Sequence, residues 1–407
     1  MEREAVTAEE IAHSDLVIGL PTCASVETIG HVVDAVRTAV DSSQVSATVV
    51  IRSDASGPAP LESHNGLKLL PYPIPAVGGL PGATEGWSDA YRAIFAVSKK
   101  TGARATAMLG ADLEGFTAER TERLLRPVDD NGADLVVASY AHNKYEGMIT
   151  SGILYPLTST LYGKRVRWPY AADFGLSARM IDRLSSPPPP ALAASRRDTL
   201  IWMVLDAIRG DFDVCQTHFG ARVRAVREPT DLSSMLAHVL GPIFLDMEFN
   251  AAQWQRVHSS LPVTTFGHPA ALVEEPHTVD VRPLIEAFQL GFQNLQPVWS
   301  LVLPPATLLD LKKLTLAPPE HFRIKDALWA RIIYDFALGH RLRILNRDHL
   351  LRALTPLYRA WVASYALEVE NADTEQAERR VEQLRLAYES ERRYLLSRWR
   401  WPDRFSP

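Results

Sequence analysis

Four aspartates, two glutamates and two arginines are the residues of this 407-residue chain whose types and spacing could do chemistry. Asp112 closes the apolar run 105–109 through Gly110-Ala111 and is followed by Leu113-Glu114. If the extended backbone continues, Asp112 and Glu114 share a face, and paired carboxylates of that kind hold a hard divalent cation. The plainer alternatives are a turn aspartate and a solvent-facing glutamate. Asp54 lies just past the β-branched run 47–51, either as a turn residue or as a ligand contact. Asp173, between small residues and Phe174-Gly175, is costly to bury unless partnered. Asp198 follows Arg196-Arg197 and opens the apolar stretch 200–208, where an aspartate caps a helix and can also orient or deprotonate a hydroxyl. Arg222 and Arg224 alternate, so on a strand they project to one face with guanidinium forks that match phosphate oxygens. Glu27 completes the set in the first turn of a helix.

The elements that must position these residues follow from hydrophobic period. Residues 15–20 read as a short buried strand ending at Pro21-Thr22. Behind it Ile29, Val33, Val36 and Val40 recur at helical spacing, with Ser25 as N-cap. A strand over 47–51 comes next, then a Pro/Gly-rich stretch over 71–82 and a helix carrying Trp87, Tyr91, Ile94 and Val97. A strand over 105–109, a helix after Thr117 and a strand over 135–139 complete the series. This alternation predicts right-handed crossovers and a mainly parallel, Rossmann-like α/β sheet flanked by helices. Such sheets bind ligands at the carboxyl ends of their strands. Thr22, Asp54 and Asp112 each stand just past a strand end, so one edge should collect them.

Beyond the sheet the signals change. Residues 185–190, Ser-Ser followed by four prolines, can be neither helix nor central strand and read as an exposed loop. From about residue 280 the pattern is helical, with stripes at Leu284, Phe288 and Leu295 and at Leu328, Ile332 and Phe336. A last helix from Thr374 carries Val381, Leu384, Tyr388 and Leu395. The reading is an α/β domain over 1–245 and a mostly α-helical C-terminal domain over 246–407.

Bulk properties exclude several classes. A net charge of −5 gives no global attraction to nucleic acid or anionic membrane. Two cysteines, Cys23 and Cys215, make no disulfide framework. The acidic N-terminus lacks the apolar stretch of a signal peptide, and no window reaches a transmembrane segment, so a cytoplasmic location is expected. His142 and Lys144 after the strand over 135–139, and His218 and His268 further on, are more readily loop residues than phosphate contacts or metal ligands. The basic, aromatic stretch 392–401 either packs as a helix or meets an anionic partner. The aromatic helical region suits a homodimer.

Four segments together carry a family resemblance. Gly19-Leu20-Pro21-Thr22 with Glu27-Thr28-Ile29-Gly30 resembles the opening strand and helix of family-2-like glycosyltransferases of the GT-A fold. Residues 86–95, starting at Gly86, and then Gly110-Ala111-Asp112-Leu113 resemble that family's glycine-rich helix and its "DxD" strand. Ala171-Ala172-Asp173-Phe174-Gly175 looks like the acceptor-side loop, and Asp198-Thr199-Leu200 like the start of the helix bearing the acceptor-side carboxylate. Order and spacing are similar to the mannosylglycerate synthase and glucosyl-3-phosphoglycerate synthase group, which pairs a GT-A domain with a helical C-terminal region.

The resemblance implies transfer of a hexose, with retention of configuration, from a UDP- or GDP-sugar to a small-molecule acceptor such as a glycerate-like acid. Pro21, Thr22, Glu27, Asp54, Gly86, Asp112, Arg222 and Arg224 would line the donor site, with Asp54 at the nucleobase. Asp173 and Asp198 would serve the acceptor as catalytic groups. Mg2+ or Mn2+ would be the family's cofactor, with Asp112 and Glu114 as the ligands available here. Three departures bear on that metal. Gly110 stands at the first position of the family's Asp-Ala-Asp, Val223 or Arg224 stands where its histidine is expected, and Ala83-Thr84-Glu85-Gly86 lacks its basic residue. Arginine in place of a metal ligand suggests metal-independent neutralisation of the diphosphate. The competing class is a repurposed GT-A protein that binds a nucleotide or sugar without turning it over.

Overall fold

The computed structural model describes residues 13–21, 26–43, 45–53, 67–73, 87–110, 113, 115–187, 200–221, 231–269 and 279–402. They form two compact units, each built from separated stretches of chain. The first takes Met1–Ala141, Tyr170–Ala225 and Val263–Ala271, and the second His142–Pro169, Val226–Pro262 and Leu272–Pro407.

Numbered along the chain, the strands are β1 (Leu16–Leu20), β2 (Ala47–Ser53), β3 (Leu67–Pro73), β4 (Ala105–Met108), β5 (Leu135–Ala141), β6 (Lys164–Arg165), β7 (Phe174–Ser177), β8 (Val214–Ala221), β9 (Leu261–Pro262) and β10 (Thr265–Phe266). In the first unit they form one sheet in the order β10-β8-β5-β7-β4-β1-β2-β3. Every neighbouring pair is parallel except the two made by β7, which runs against β4 and β5. The carboxyl ends of β1, β2, β4, β5 and β8 therefore share one edge with the amino end of β7. The expected mainly parallel sheet flanked by helices is present, and so is the helical C-terminal region.

The run of β1 is buried on both faces, as a central parallel strand requires. Leu16, Ile18 and Leu20 join a core with Ile29, Val32 and Val36 of helix Val26–Ser43 and Leu124 and Val128 of helix Ala118–Asn131. Gly19 turns the other way, where an added Cβ would come 2.6 Å from Ile94 of helix Trp87–Thr101. Hydrophobic period does not predict β3, because Pro71 and Pro73 argue against a strand. It lies at the sheet edge, where a missing N–H costs no ladder bond. Nor does period predict the antiparallel β7, whose four residues are too few to show one.

Asp134 pins the amino edge. Its carboxylate accepts from Ser177 Oγ at 2.8 Å, Arg179 Nε at 3.0 Å and Asp213 N at 2.9 Å, which ties the neighbourhoods of β5, β7 and β8 together. Burial pushes the Asp134 carboxyl up, but the hydrogen bonds from Arg179, Asp213 and Ser177 outweigh it and hold the group below its ordinary value. A depressed carboxylate contributes stability that is full above the unfolded-state value and is lost as pH falls through the folded one. Acid titration should therefore lower the Tm below about pH 4, and Asp134→Asn should lower the neutral-pH Tm and flatten that acid limb. An unchanged acid limb in Asp134→Asn would remove the assignment.

The second unit is helical, with the short ribbon of β6 and β9 beside it. Residues Thr150–Leu154 make one turn of π-helix, and the Gly152 carbonyl accepts from both Trp329 Nε1 at 2.8 Å and Tyr388 Oη at 3.1 Å. Trp329 stacks on Trp361 at 5.8 Å between ring centroids. Asp373 and Gln376 form a capping box at the start of helix Thr374–Ser390. The last helix is not continuous, because Glu391 separates it from Arg392–Arg400, which carries Leu395. Two arginines of that final helix are occupied inside the unit: Arg392 donates to Trp254 O and Gln255 O, and Arg398 pairs with buried Asp335 at 3.1 Å, whereas Arg393 and Arg400 are exposed. Packing inside the unit accounts for Arg392 and Arg398. No helix among the described residues is long and apolar enough to cross a membrane.

Candidate functional site

Of the residues selected from sequence, Pro21, Glu27 and Asp173 are among the described residues. Thr22, Asp54, Gly86, Asp112, Glu114, Asp198, Arg222 and Arg224 lie outside them. The adjacency of β4, β1 and β2, all parallel, brings the strand ends that precede Asp112, Thr22 and Asp54 side by side. Glu27 is exposed in the first turn of helix Val26–Ser43, where a negative charge suits the helix N-terminus.

Asp173 is the centre of the described part of this edge. It is 2% exposed and immediately precedes β7. Its Oδ1 accepts from the Gly110 N–H at 2.9 Å, and its Oδ2 accepts from the Tyr140 hydroxyl at 3.0 Å. Its own carbonyl accepts from Ala138 N at 3.1 Å. One residue thus binds the exit of β4, the exit of β5 and the entry of β7. The carboxylate is buried with charge-assisted partners, which is what its burial requires. Tyr91 lies close by, with its hydroxyl 3.4 Å from Ala172 O. Burial, followed by the Asp173 and Tyr170 charges, pushes the Tyr91 phenol well above its ordinary value.

Gly110 is held from three sides. A Cβ there would lie 3.1 Å from Ala172 O, 3.4 Å from Ala172 Cβ and 3.6 Å from Pro21 Cγ. Pro21 and Asp173, selected separately from sequence, therefore meet at the same glycine. The contact with the Ala172 carbonyl is tight, and those with Ala172 Cβ and Pro21 Cγ are ordinary van der Waals contacts. Among the described residues no group of three or more His, Cys, Asp or Glu side chains could hold a metal ion. Each Asp173 oxygen receives one protein donor, and the candidate ligands Asp112 and Glu114 lie outside the described residues.

Sequence reasoning missed Tyr140 and Arg120. Tyr140 had a signal, being a polar aromatic at the end of a buried strand. Arg120 had none, because its neighbours come from β5 and β8. Its guanidinium lies 5.4 Å from the Tyr140 ring centroid and 5.3 Å from that of Phe219, and it donates to Ala221 O. Arg123, one turn on, donates to His218 O. Burial, followed by the Arg123 and His268 charges, depresses the His218 pKa. His142 and Lys144 are engaged in the second unit, His142 3.2 Å from Glu378 and Lys144 on the Glu370 and Ala372 carbonyls. A cleft of about 570 Å³ in that unit is lined by Arg323, Arg379 and Arg380. These are matched by Glu368, Glu375 and Asp326, which leaves no net charge to recruit an anion. Cys215 is a free buried thiol whose pKa burial pushes up to about 12.

Fold and edge together define a mainly parallel α/β domain whose strand ends converge on a polar junction, the place where such sheets bind ligands. No family model matches the sequence, and no curated protein sequence does. Similar solved structures include glucosyl-3-phosphoglycerate synthase from Mycobacterium tuberculosis in complex with phosphoglyceric acid, at 18% identity over 60% of this chain and 85% of that one, TM-score 0.38. The same enzyme with Mn2+ and uridine-diphosphate-glucose is similar at 19% identity over 68% and 95%, TM-score 0.39. Mannosyl-3-phosphoglycerate synthase from Rubrobacter xylanophilus is similar at 19% identity over 61% and 79%, TM-score 0.42.

Proposed function

We propose that the chain is a hexosyltransferase that takes a nucleoside diphosphate sugar as donor and a small polar acid of the glycerate type as acceptor. One observation carries the reading. The segment leading to Asp112 and the segment around Asp173 resemble the donor-side and acceptor-side elements of one enzyme family, and Asp173 joins them directly across 63 residues of chain. Neither segment's local sequence requires that meeting.

In this reading Asp112, Thr22 and Asp54 follow three neighbouring strand ends and form the donor side. Arg222 and Arg224 neutralise the leaving diphosphate, because guanidinium forks match its oxygens without a metal. Asp198 orients the acceptor hydroxyl and takes its proton. The bond from the anomeric carbon to the β-phosphate oxygen breaks, and the bond to the acceptor oxygen forms. Asp173 acts through protein groups: it holds Gly110 and Tyr140 and so fixes where the strand that leads to Asp112 ends.

The test is release of UDP or GDP from UDP- and GDP-hexoses, with and without glycerate or 3-phosphoglycerate. Acceptor-dependent release is expected, and it should persist in excess EDTA because Gly110 stands where the family's first metal-binding carboxylate would and Arg222 and Arg224 supply the positive charge. Complete loss in EDTA, restored by Mn2+ or Mg2+, would overturn the metal-free part. Nucleotide binding without release under any condition would overturn the transferase reading in favour of a binding protein.

A further inference from the structure

Two helices of the second unit end side by side. Helix Asp326–Leu342 and helix Arg392–Arg400 run parallel, tied by three rungs in rising order: Arg331 with Glu391 at 2.6 Å, Asp335 with Arg398 at 3.1 Å, and Arg341 Nη1 on Trp399 O at 2.8 Å. The Arg341 guanidinium also lies 4.7 Å from the Trp399 ring centroid. The two carboxyl ends therefore stand at one level, and there the chain exposes side chains of two kinds. Arg343 and Arg400 are exposed and Arg341 is half-buried. Leu342 is 39% exposed, Ile344 38% and Trp401 67%. The neighbouring carboxylates are taken by other arginines, Glu248 by Arg347, Asp348 by Arg352 and Asp335 by Arg398. Among the described residues none pairs with Arg341, Arg343 or Arg400. Burial depresses the His340 pKa to about 3, and the Arg347 and Arg343 charges push it the same way.

We propose that this end of the second unit docks on an anionic lipid bilayer, with the arginines at the headgroup phosphates and Leu342, Ile344 and Trp401 in the interface. Such docking is independent of which reaction the chain performs. Basic and apolar side chains alternate from Arg341 to Leu345, and Trp399-Arg400-Trp401 repeats the pattern. Guanidinium forks match phosphate oxygens. Tryptophan settles at headgroup level, where its ring is dry and its N–H is wet. A helix carboxyl end favours a cation, which accounts for one arginine but not for the leucine and isoleucine exposed beside it. Arg343 takes left-handed backbone at φ 53°, where glycine or asparagine is the usual residue. An arginine held there at a cost in backbone strain has no ion pair among the described residues to offset it. Nucleic acid or an acidic protein would meet the arginines and leave the three apolar side chains without a role. The net charge of −5 does not oppose docking, because charges more than about 10 Å away are screened at about 0.1 M salt.

The experiment is co-sedimentation of the full chain with vesicles of phosphatidylcholine alone and of phosphatidylcholine and phosphatidylglycerol in equal parts. Wild type, Arg343→Asn, Arg400→Gln, their double variant and Trp401→Ser are compared, with Tm measured for each. Wild type should ignore phosphatidylcholine, bind the anionic vesicles at low salt and lose most of that binding at about 1 M salt, where the screening length falls to about 3 Å. Each arginine variant should weaken binding about fivefold, and the double variant about twentyfold. Trp401→Ser should weaken it about tenfold at unchanged Tm. Asparagine suits the left-handed backbone at position 343, so Arg343→Asn should fold; if it does not, Arg400→Gln and Trp401→Ser carry the test. Wild type that stays in the supernatant with anionic vesicles overturns the proposal. So does binding that survives both the double variant and Trp401→Ser. Equal affinity for duplex DNA, lost in the double variant but kept in Trp401→Ser, would assign the patch to a polyanion and overturn the bilayer.

Discussion

Asp173→Ala is expected to lower the stability of the first unit by about 3–5 kcal/mol and the Tm by roughly 10 °C, while Asp173→Asn costs about 1 kcal/mol. Alanine leaves two buried donors, the Gly110 N–H and the Tyr140 hydroxyl, without the acceptor each now has. An orphaned buried donor costs about 1–3 kcal/mol, more where the lost partner was charged. Asparagine differs because its carbonyl can take the Gly110 N–H while its amide donates to the Tyr140 oxygen, which accepts as readily as it donates. Thermal melts of the two variants measure the gap. Nucleotide release should follow the same order, since the freed Gly110 no longer fixes the end of β4. An Asp173→Ala protein that melts with wild type would show that the carboxylate is not the tie between β4, β5 and β7.

Gly175→Ala should be the most damaging single methyl in the described structure, with a loss of about 4 kcal/mol or more and poor soluble yield. A Cβ on Gly175 would stand 2.1 Å from the Leu124 carbonyl oxygen and 2.9 Å from its carbon. Both are backbone atoms of helix Ala118–Asn131, so no rotamer change relieves the clash. The helix must lift from the sheet, and it carries Arg120 at one end while β7 carries the Asp173 junction. Gly30→Ala is the control of opposite sign, because nothing lies within 4 Å of its added Cβ. Removing a mid-helix glycine there should stabilise helix Val26–Ser43 by up to about 1 kcal/mol. Comparable melts for Gly175→Ala and Gly30→Ala would sink the close-approach argument.

Much of the sheet is legible in the amino-acid sequence. β1, β2, β4 and β5 fall within one or two residues of their expected spans, because buried parallel strands are short apolar runs bounded by turn residues. The parallel pairing of β4, β1 and β2 then follows from strand–helix alternation, and it brings together the strand ends before Thr22, Asp54 and Asp112. Asp173 stands out in the sequence because a carboxylate between small residues needs a partner, and in the fold it has two.

Three features are decided by tertiary structure alone. β7 reverses direction between β4 and β5, which no local period encodes in four residues. The bulge at Phe219 depends on the register of β5 against β8. The clamp made by Arg120 needs a helix, Tyr140 and Phe219 to meet from three separate stretches of chain. Local sequence determines which residue types a strand end presents, because period and turn chemistry are local. Which of those ends touch, and through whose hydrogen bonds, is set by packing between segments far apart in the chain. That is why Asp173 can be chosen from sequence, whereas its bond to Gly110 exists only in the folded protein.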